Sequence, residues 1–170
     1  NWKAAVSSAG GTPGSLNSVN TVDNTPPQLL GVTIVSTDSL ILVFSEAIDT
    51  STLSDLSLYT VNNGVGNPLA AEKVEEDARA VMLIFSPPLY KGVVYTVNVK
   101  GGVKDCAGNV IGSVNAKEVV IPQQAGRNDL VINEVLSDPN TGGVDFVEVY
   151  NRSDKIIDLK SVLISPYDTI

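Results

Sequence analysis

Leu40-Ile41-Leu42-Val43-Phe44-Ser45-Glu46-Ala47-Ile48-Asp49 is the clearest strand-and-corner signal in this 170-residue chain. Its opening run is branched or aromatic, which predicts a β-strand with Leu40, Leu42 and Phe44 on the buried face. Ser45 and Glu46 then bring polar side chains to the place where the strand should end. The stretch therefore predicts a buried strand followed by an acidic corner.

Strand patterns on both sides of this stretch predict an all-β fold. Residues Gln28 to Val35 alternate, with Leu30, Val32 and Ile34 expected on the inward face, and Ser36-Thr37-Asp38 should turn this strand back onto the next. Further strands are predicted at residues 58–61, 71–74, 79–85, 93–100 and 116–121. Turn residues separate them at intervals typical of a β-sandwich.

The segment after the corner is expected to close one end of this sandwich. Thr50 or Ser51 would cap a short helical turn there. Leu53 would then plug the end of the core.

A partial second β-sandwich module is predicted after Asp129. Its strands are expected at residues 130–136, 144–150 and 156–164, and three short strands cannot cover both faces of their own sheet. Residues 123–128 are interpreted as a linker. Residues 1–25, rich in Gly, Ser and Pro, are also interpreted as linker, with Trp2 expected to anchor in a neighbouring apolar groove.

Charge and composition exclude several classes of function. The chain has 11 basic and 19 acidic residues, a net charge of -8, which repels nucleic-acid phosphates and anionic membranes. Neither nucleic-acid binding nor membrane insertion is expected. The sequence contains no histidine, the usual neutral-pH base and metal ligand. No enzyme activity, catalytic residue or required cofactor is therefore predicted.

Calcium is the metal that the residue types suit, because loops at the end of a sandwich can gather hard oxygen ligands. The candidate ligands are Glu46 and Asp49 at the corner with Asp105 and Asn109 in a later loop. The alternative is that Asp105 and Asn109 hydrogen-bond the backbone of a tight turn, in which Gly108 takes positive φ. The sequence leaves both interpretations open.

The five tyrosines could form a surface on which sugars stack, or they could pack in the core. Tyr59, Tyr95 and Tyr150 fall inside predicted strands, where core packing is expected. Tyr90 and Tyr167 are the exposed candidates for a glycan contact.

Three other reactive side chains are given structural roles. The single cysteine, Cys106, is expected to be buried, since no cationic cluster is present to stabilise its thiolate. Glu134 and Glu148 could in principle form a carboxylate pair, but they are expected to be framework residues on neighbouring strands.

Four segments of the middle region carry a family resemblance: “VFSEAID” at 43–49, “YTVN” at 59–62, “YKGVVYTVNV” at 90–99 and “VKDCAGNVI” at 103–111. Together with Pro27 before the first strand, they resemble the bacterial immunoglobulin-like domains found as repeats on surface and secreted proteins. The last segment is the most specific. The resemblance covers residues 26–122 and implies an immunoglobulin-like β-sandwich there.

Both flanks carry a second resemblance. “LVINEVLSDP” at 130–139 and “DFVEVYNRSDKIIDLKSVLIS” at 145–165 make residues 129–170 similar to the beginning of a lamin-tail domain. Two positions depart from that pattern: Phe146 stands where the family carries Trp, and Ser161-Val162 stands where it carries Gly-Trp. Residues 1–20 resemble the end of such a domain, through Asn1-Trp2-Lys3 and Gly11-Thr12-Pro13-Gly14.

These resemblances imply a non-enzymatic structural or adhesion-type module of a bacterial protein, located extracellularly or at the cell surface. It would space or present neighbouring domains of the same polypeptide and mediate protein contacts. The alternative is a glycan- or calcium-binding accessory module of an exported hydrolase or nuclease. The expected partners are the neighbouring domains and an extracellular protein or glycan. The incomplete unit would either add residues 1–6 as a strand or dimerise through exposed strand edges.

Overall fold

A computed structural model describes residues 22–165, and within that range it is all-β, as the sequence predicts. Its strands are β1 Leu29–Ser36, β2 Ser39–Phe44, β3 Tyr59–Val61, β4 Ala70–Lys73, β5 Ala80–Ile84, β6 Val94–Val99, β7 Ala116–Val120, β8 Leu130–Leu136 and β9 Phe146–Asn151. Three single 3-10 turns lie at Thr50–Thr52, Leu56–Leu58 and Leu159–Ser161. No helix in the described part is long and apolar enough to cross a membrane. Trp2, Tyr167 and the strand proposed at residues 1–6 lie outside the described residues.

Strands β1 to β7 form two antiparallel sheets around one core. One sheet has the order β1-β2-β5-β4 and the other the order β3-β6-β7. The predicted pairing of β1 with β2 is confirmed, and β2 then pairs with β5 in a register that sets Leu42 opposite Val81. Strand β1 also contacts β7 of the other sheet, which brings the two layers together along one side.

The core consists of the inward positions that strand alternation predicts. Leu40, Leu42 and Phe44 of β2 are fully buried, and they belong to the same cluster as Tyr95 and Val97 of β6. Full burial of one such side chain contributes about 1.5–3 kcal/mol. This repeated burial from both sheets is what holds the sandwich together.

The first strand departs from the prediction at its beginning. Leu29 is fully buried and Leu30 is 53% exposed, whereas the alternation placed Leu30 inward. The register with β2 shifts between Leu29 and Gly31, so one extra residue changes the face on which the earlier side chains lie. Val32 and Ile34 do pack against the core, as predicted.

The corner after β2 contains a short helical turn, but its cap differs from the prediction. The carboxylate of Asp49 accepts the backbone N–H of Ser51 at 2.9 Å, so Asp49 rather than Thr50 or Ser51 is the cap. Leu53 is buried at the end of the core, as expected.

The second unit is a β8–β9 hairpin followed by an irregular segment. The predicted third strand at 156–164 is wrong: its residues 159–161 form a 3-10 turn, because the Asp158 carboxylate accepts the N–H of Lys160 at 3.0 Å. Cross-strand pairing sets Ile132 opposite Val149 and Val135 opposite Val147. These four aliphatic side chains are exposed, so the hairpin presents an apolar face.

Candidate functional site

The loop between β6 and β7 is organised by one buried carboxylate. Asp105 is only 2% exposed. One of its oxygens accepts the backbone N–H groups of Ala107 and Asn109, each at 2.8 Å, and the other accepts the Asn109 side-chain amide at 2.8 Å. Gly108 in the same turn has a φ of 93°, which favours glycine. Asp105 therefore satisfies three donors of its own loop.

Asp105 also lies beside two further carboxylates. Asp23, Glu46 and Asp105 each offer an oxygen within 4.8 Å of the others. The segment holding Asp23 is tied to the loop, because the side-chain amide of Asn109 donates to the Asp23 carbonyl oxygen at 3.1 Å. Ile48, just past the acidic corner, bridges Asp105 in antiparallel fashion. Three distant parts of the chain thus meet in one acidic cluster.

The carboxylates of this cluster have different electrostatic environments. Burial, followed by repulsion from Asp105 and Asp23, raises the pKa of Glu46 above its ordinary value. Burial alone would also raise the pKa of Asp105. Hydrogen bonds from Asn109, Ala107 and Gly108 outweigh that effect and lower it. The hydrogen bonds of its loop therefore favour the ionised form of Asp105. The ionised form of Glu46 is instead disfavoured by burial and by the neighbouring carboxylates.

The predicted calcium ligands are only partly brought together. Glu46 and Asp105 meet, and Asn109 binds Asp105 through its amide nitrogen. The Asp49 carboxylate instead caps its own turn, and that hydrogen bond with Ser51 lowers its pKa. Asp23, which the sequence analysis did not select, takes the third place. It lies in the segment interpreted as linker, and nothing local in the sequence indicates that it returns to a loop 82 residues away.

An open cleft of about 560 Å³ lies over the cluster. Its lining consists of Asp23, Ser45, Glu46, Ala47, Arg79, Cys106 and Ala107. Arg79 is engaged with Asp77 through two contacts of 3.0 Å. Cys106 is exposed, so the prediction that it is buried is wrong: Asp105 points into the structure and the neighbouring side chain consequently faces the cleft.

The tyrosines divide differently from the prediction at one position. Tyr59 and Tyr95 are buried in the core as expected, and Tyr90 is exposed. Tyr150 is 58% exposed, which contradicts the expected core packing, because residues 22–165 cover neither face of the β8–β9 hairpin. Phe146 is exposed as well, and strand alternation places it on the same face as Tyr150.

Glu134 and Glu148 do lie on neighbouring strands, as predicted, and they are direct cross-strand partners. The register shifts at Asn133, whose side-chain amide donates to Glu148. Both carboxylates are exposed. Together they form part of the hairpin's polar surface.

The strands β1–β7 and the Asp105 loop all fall within one family match. A family model described as a bacterial Ig-like domain matches residues 17–121, more than half of the chain. The chain belongs to this bacterial immunoglobulin-like family. Such domains are a non-catalytic kind of module. The lamin-tail resemblance of the flanks stays a prediction.

Two solved structures are similar to part of this chain. The S-layer protein rSbsC is 19% identical over 65% of this chain and 15% of its own, with a TM-score of 0.50. The N-terminal part of the bacterial S-layer protein SbsC is 23% identical over 65% of this chain and 26% of its own, with a TM-score of 0.49. This chain therefore spans about a quarter or less of each. No curated protein matches the chain.

Proposed function

We propose that this chain is a non-enzymatic structural module of a bacterial secreted or cell-surface protein, which spaces or presents neighbouring domains. The observation that carries the proposal is the family match across the whole β1–β7 sandwich, since domains of this family are typical of bacterial surface and extracellular proteins. The sandwich has a closely packed core of buried side chains from both sheets, and such packing resists deformation, which suits a spacer.

The proposal includes protein contacts through the second unit. The exposed aliphatic face of the β8–β9 hairpin offers apolar area to a neighbouring domain of the same polypeptide. The net charge of -8 meanwhile keeps the rest of the surface soluble.

A replacement experiment separates spacing from specific binding. In the natural protein, residues 22–121 are exchanged for an unrelated β-sandwich of similar length, which keeps the β8–β9 hairpin and its contacts, and in a second variant residues 22–121 are deleted. A spacer predicts that the exchange preserves surface display and activity of the flanking domains while the deletion impairs them. Loss of function in the exchange, with normal export, would contradict the proposal.

Calcium binding is the second candidate, as in an accessory module of an exported hydrolase or nuclease. It is favoured by the convergence of Asp23, Glu46 and Asp105, of which Asp23 and Glu46 line an open cleft. The test is thermal unfolding with excess calcium and with chelator, in the natural sequence, Asp23→Asn and the exposed control Glu118→Gln. Calcium binding predicts a chelator-sensitive melting temperature that Asp23→Asn alone abolishes. A melting temperature that is equal in calcium and chelator would contradict it.

A glycan ligand for the same accessory role is favoured by a different surface. Phe146 and Tyr150 are exposed on one face of β9, where aromatic rings can stack on sugars, and Glu148 lies between them. A glycan array followed by titration of any hit with Tyr150→Ala tests it. Binding that Tyr150→Ala abolishes and Tyr90→Ala preserves is expected; no binding to any glycan would contradict it.

A further inference from the structure

We propose that residues 121–123 form a rigid joint, which fixes the direction in which the β8–β9 unit leaves the immunoglobulin-like domain. The inference rests on the proposed spacer function and deepens it, because it makes the spacing stiff. The sequence predicts a linker at residues 123–128. The described hydrogen bonds, however, run through this segment from one unit to the next.

The first side of the joint belongs to the sandwich. The backbone N–H of Gly92 donates to the carbonyl oxygen of Ile121 at 2.8 Å, and Lys91 and Ile121 form a parallel bridge. The Ile121 side chain packs against the hydrophobic core. Ile121, which directly follows β7, therefore still belongs to the immunoglobulin-like domain.

The second side belongs to the following unit. The backbone N–H of Gln123 donates to Ile156 at 2.7 Å, and the Gln123 carbonyl accepts the N–H of Asp158 at 2.9 Å. These two bonds form a parallel bridge between Gln123 and Ile157. The chain therefore exchanges its hydrogen-bonding partner within two residues.

The single residue between the two sides is Pro122. Its ring holds φ near -65°, and its presence restricts Ile121 to extended conformations. Pro122 lies between the hydrogen bonds of Ile121 and those of Gln123. Because proline has no backbone N–H, no donor is left unpaired at this position. A residue with few backbone conformations therefore occupies the pivot.

The Gln123 side chain adds a contact back to the sandwich. A Cβ atom built on Gly92 would lie 2.6 Å from the Gln123 side-chain oxygen, so Gln123 lies directly over this glycine. Gly92 has a φ of 80°, which favours glycine independently. Gln123 thus binds the second unit with its backbone and covers the first with its side chain.

The remainder of the segment is tied to the second unit. The Asp129 carboxylate accepts the N–H of Gly126 and the ammonium of Lys155, each at 2.7 Å. The N–H of Arg152 donates to the Asp129 carbonyl at 2.7 Å. Residues 124–128 consequently form a loop anchored at both ends.

Distance measurements on the whole 170-residue chain test the joint. Spin labels are placed on the exposed native Cys106 and on Arg152→Cys, just after β9, and electron–electron double resonance gives the distribution of distances. A rigid joint predicts one narrow distribution. Two glycines inserted between Pro122 and Gln123 should broaden it, whereas the same insertion between Glu75 and Glu76 should not. A broad distribution in the natural sequence would overturn the proposal.

Amide exchange provides a readout without any substitution. The N–H groups of Gln123 and Asp158 should exchange on the order of 100-fold more slowly than free peptide, because a concerted opening is required. Free-peptide exchange at both, with β6 amides still protected, would overturn the joint. Both measurements use the isolated chain, so they can fail while the proposed function stands, and they can succeed while cell-surface location fails.

Discussion

Asp105 accepts two hydrogen bonds from Asn109, one from its backbone N–H and one from its side-chain amide, both at 2.8 Å. This pairing joins the two ends of the loop that carries the most specific family segment. The loop also holds the Asp23 segment through Asn109. Asp105 is thus a structural residue whether or not a metal binds nearby.

Asp105→Ala should lower the free energy of unfolding by about 2–4 kcal/mol, because it leaves three buried or half-buried donors without an acceptor. Asp105→Asn should cost less, since its oxygen can still accept the two backbone N–H groups. Urea unfolding checks both. Equal stability of Asp105→Ala and the natural sequence would contradict the assigned role.

Acidification should remove the contribution of Asp105. Its folded-state pKa is lowered, so the stabilisation is present above the ordinary value of 3.8 and is lost as pH falls through the lower folded value. Unfolding measured from pH 7 to pH 2 should show this loss in the natural sequence. The loss should be smaller in Asp105→Asn, and identical pH profiles would contradict the prediction.

Glu46→Gln should raise stability at pH 7 in chelator by roughly 0.5 kcal/mol, the usual size for partly exposed charges. The folded-state pKa of Glu46 is raised, so its ionised form is unfavourable at neutral pH, and that cost disappears as pH falls towards 4.5. The advantage of the variant should therefore vanish in acid. Differential scanning calorimetry at pH 7 and pH 4 checks this, and a destabilised variant at pH 7 would contradict it.

Two buried tyrosines should respond oppositely to loss of the hydroxyl. The Tyr95 oxygen accepts the N–H of Tyr90 at 2.9 Å, whereas the buried Tyr59 hydroxyl has no hydrogen-bond partner among the described residues. Tyr95→Phe should cost about 1 kcal/mol and Tyr59→Phe should be neutral or stabilising. Chemical denaturation of both variants checks the pair. An equal loss in both would contradict the assignment.

The facing carboxylates of the hairpin should repel each other. Glu134 and Glu148 are direct partners across β8 and β9, and opposed like charges destabilise a strand pair. Glu134→Gln should slow amide exchange in the hairpin, by roughly 0.5 kcal/mol of local stability. Glu118→Gln, whose cross-strand partner is Thr96, is the control. Faster exchange in Glu134→Gln would contradict the prediction.

Local patterns predicted the sandwich because burial there follows strand alternation. Leu40, Leu42 and Phe44 are inward because period-two side chains face one core. The predicted burial of Leu30 is wrong because a bulge shifts the alternation of β1, and the sequence pattern does not reveal the bulge. The predicted burial of Tyr150 is wrong because burial requires a second layer packed on the hairpin, and a strand pattern does not specify whether one is present.

The site was predictable only as far as its local turn. The turn is formed within five residues, by Asp105, Gly108 and Asn109. Its hydrogen bonds and its positive-φ glycine can therefore be predicted from the local sequence. Asp23 joins through tertiary contacts over 82 residues, and Asp49 is removed by capping its own turn. Whether a carboxylate caps its own turn or joins a distant cluster depends on the tertiary structure, which a local sequence pattern does not specify.

The proposed function requires that this module be displayed outside the cell, and Cys106 allows a direct test of that location. It is the only cysteine of the chain and it is exposed. Intact cells making the natural protein, together with their medium, are treated with a membrane-impermeant maleimide, with Cys106→Ser as control. For a module outside the cell, we expect labelling of the peptide containing Cys106 without lysis. Labelling that appears only after lysis would contradict it.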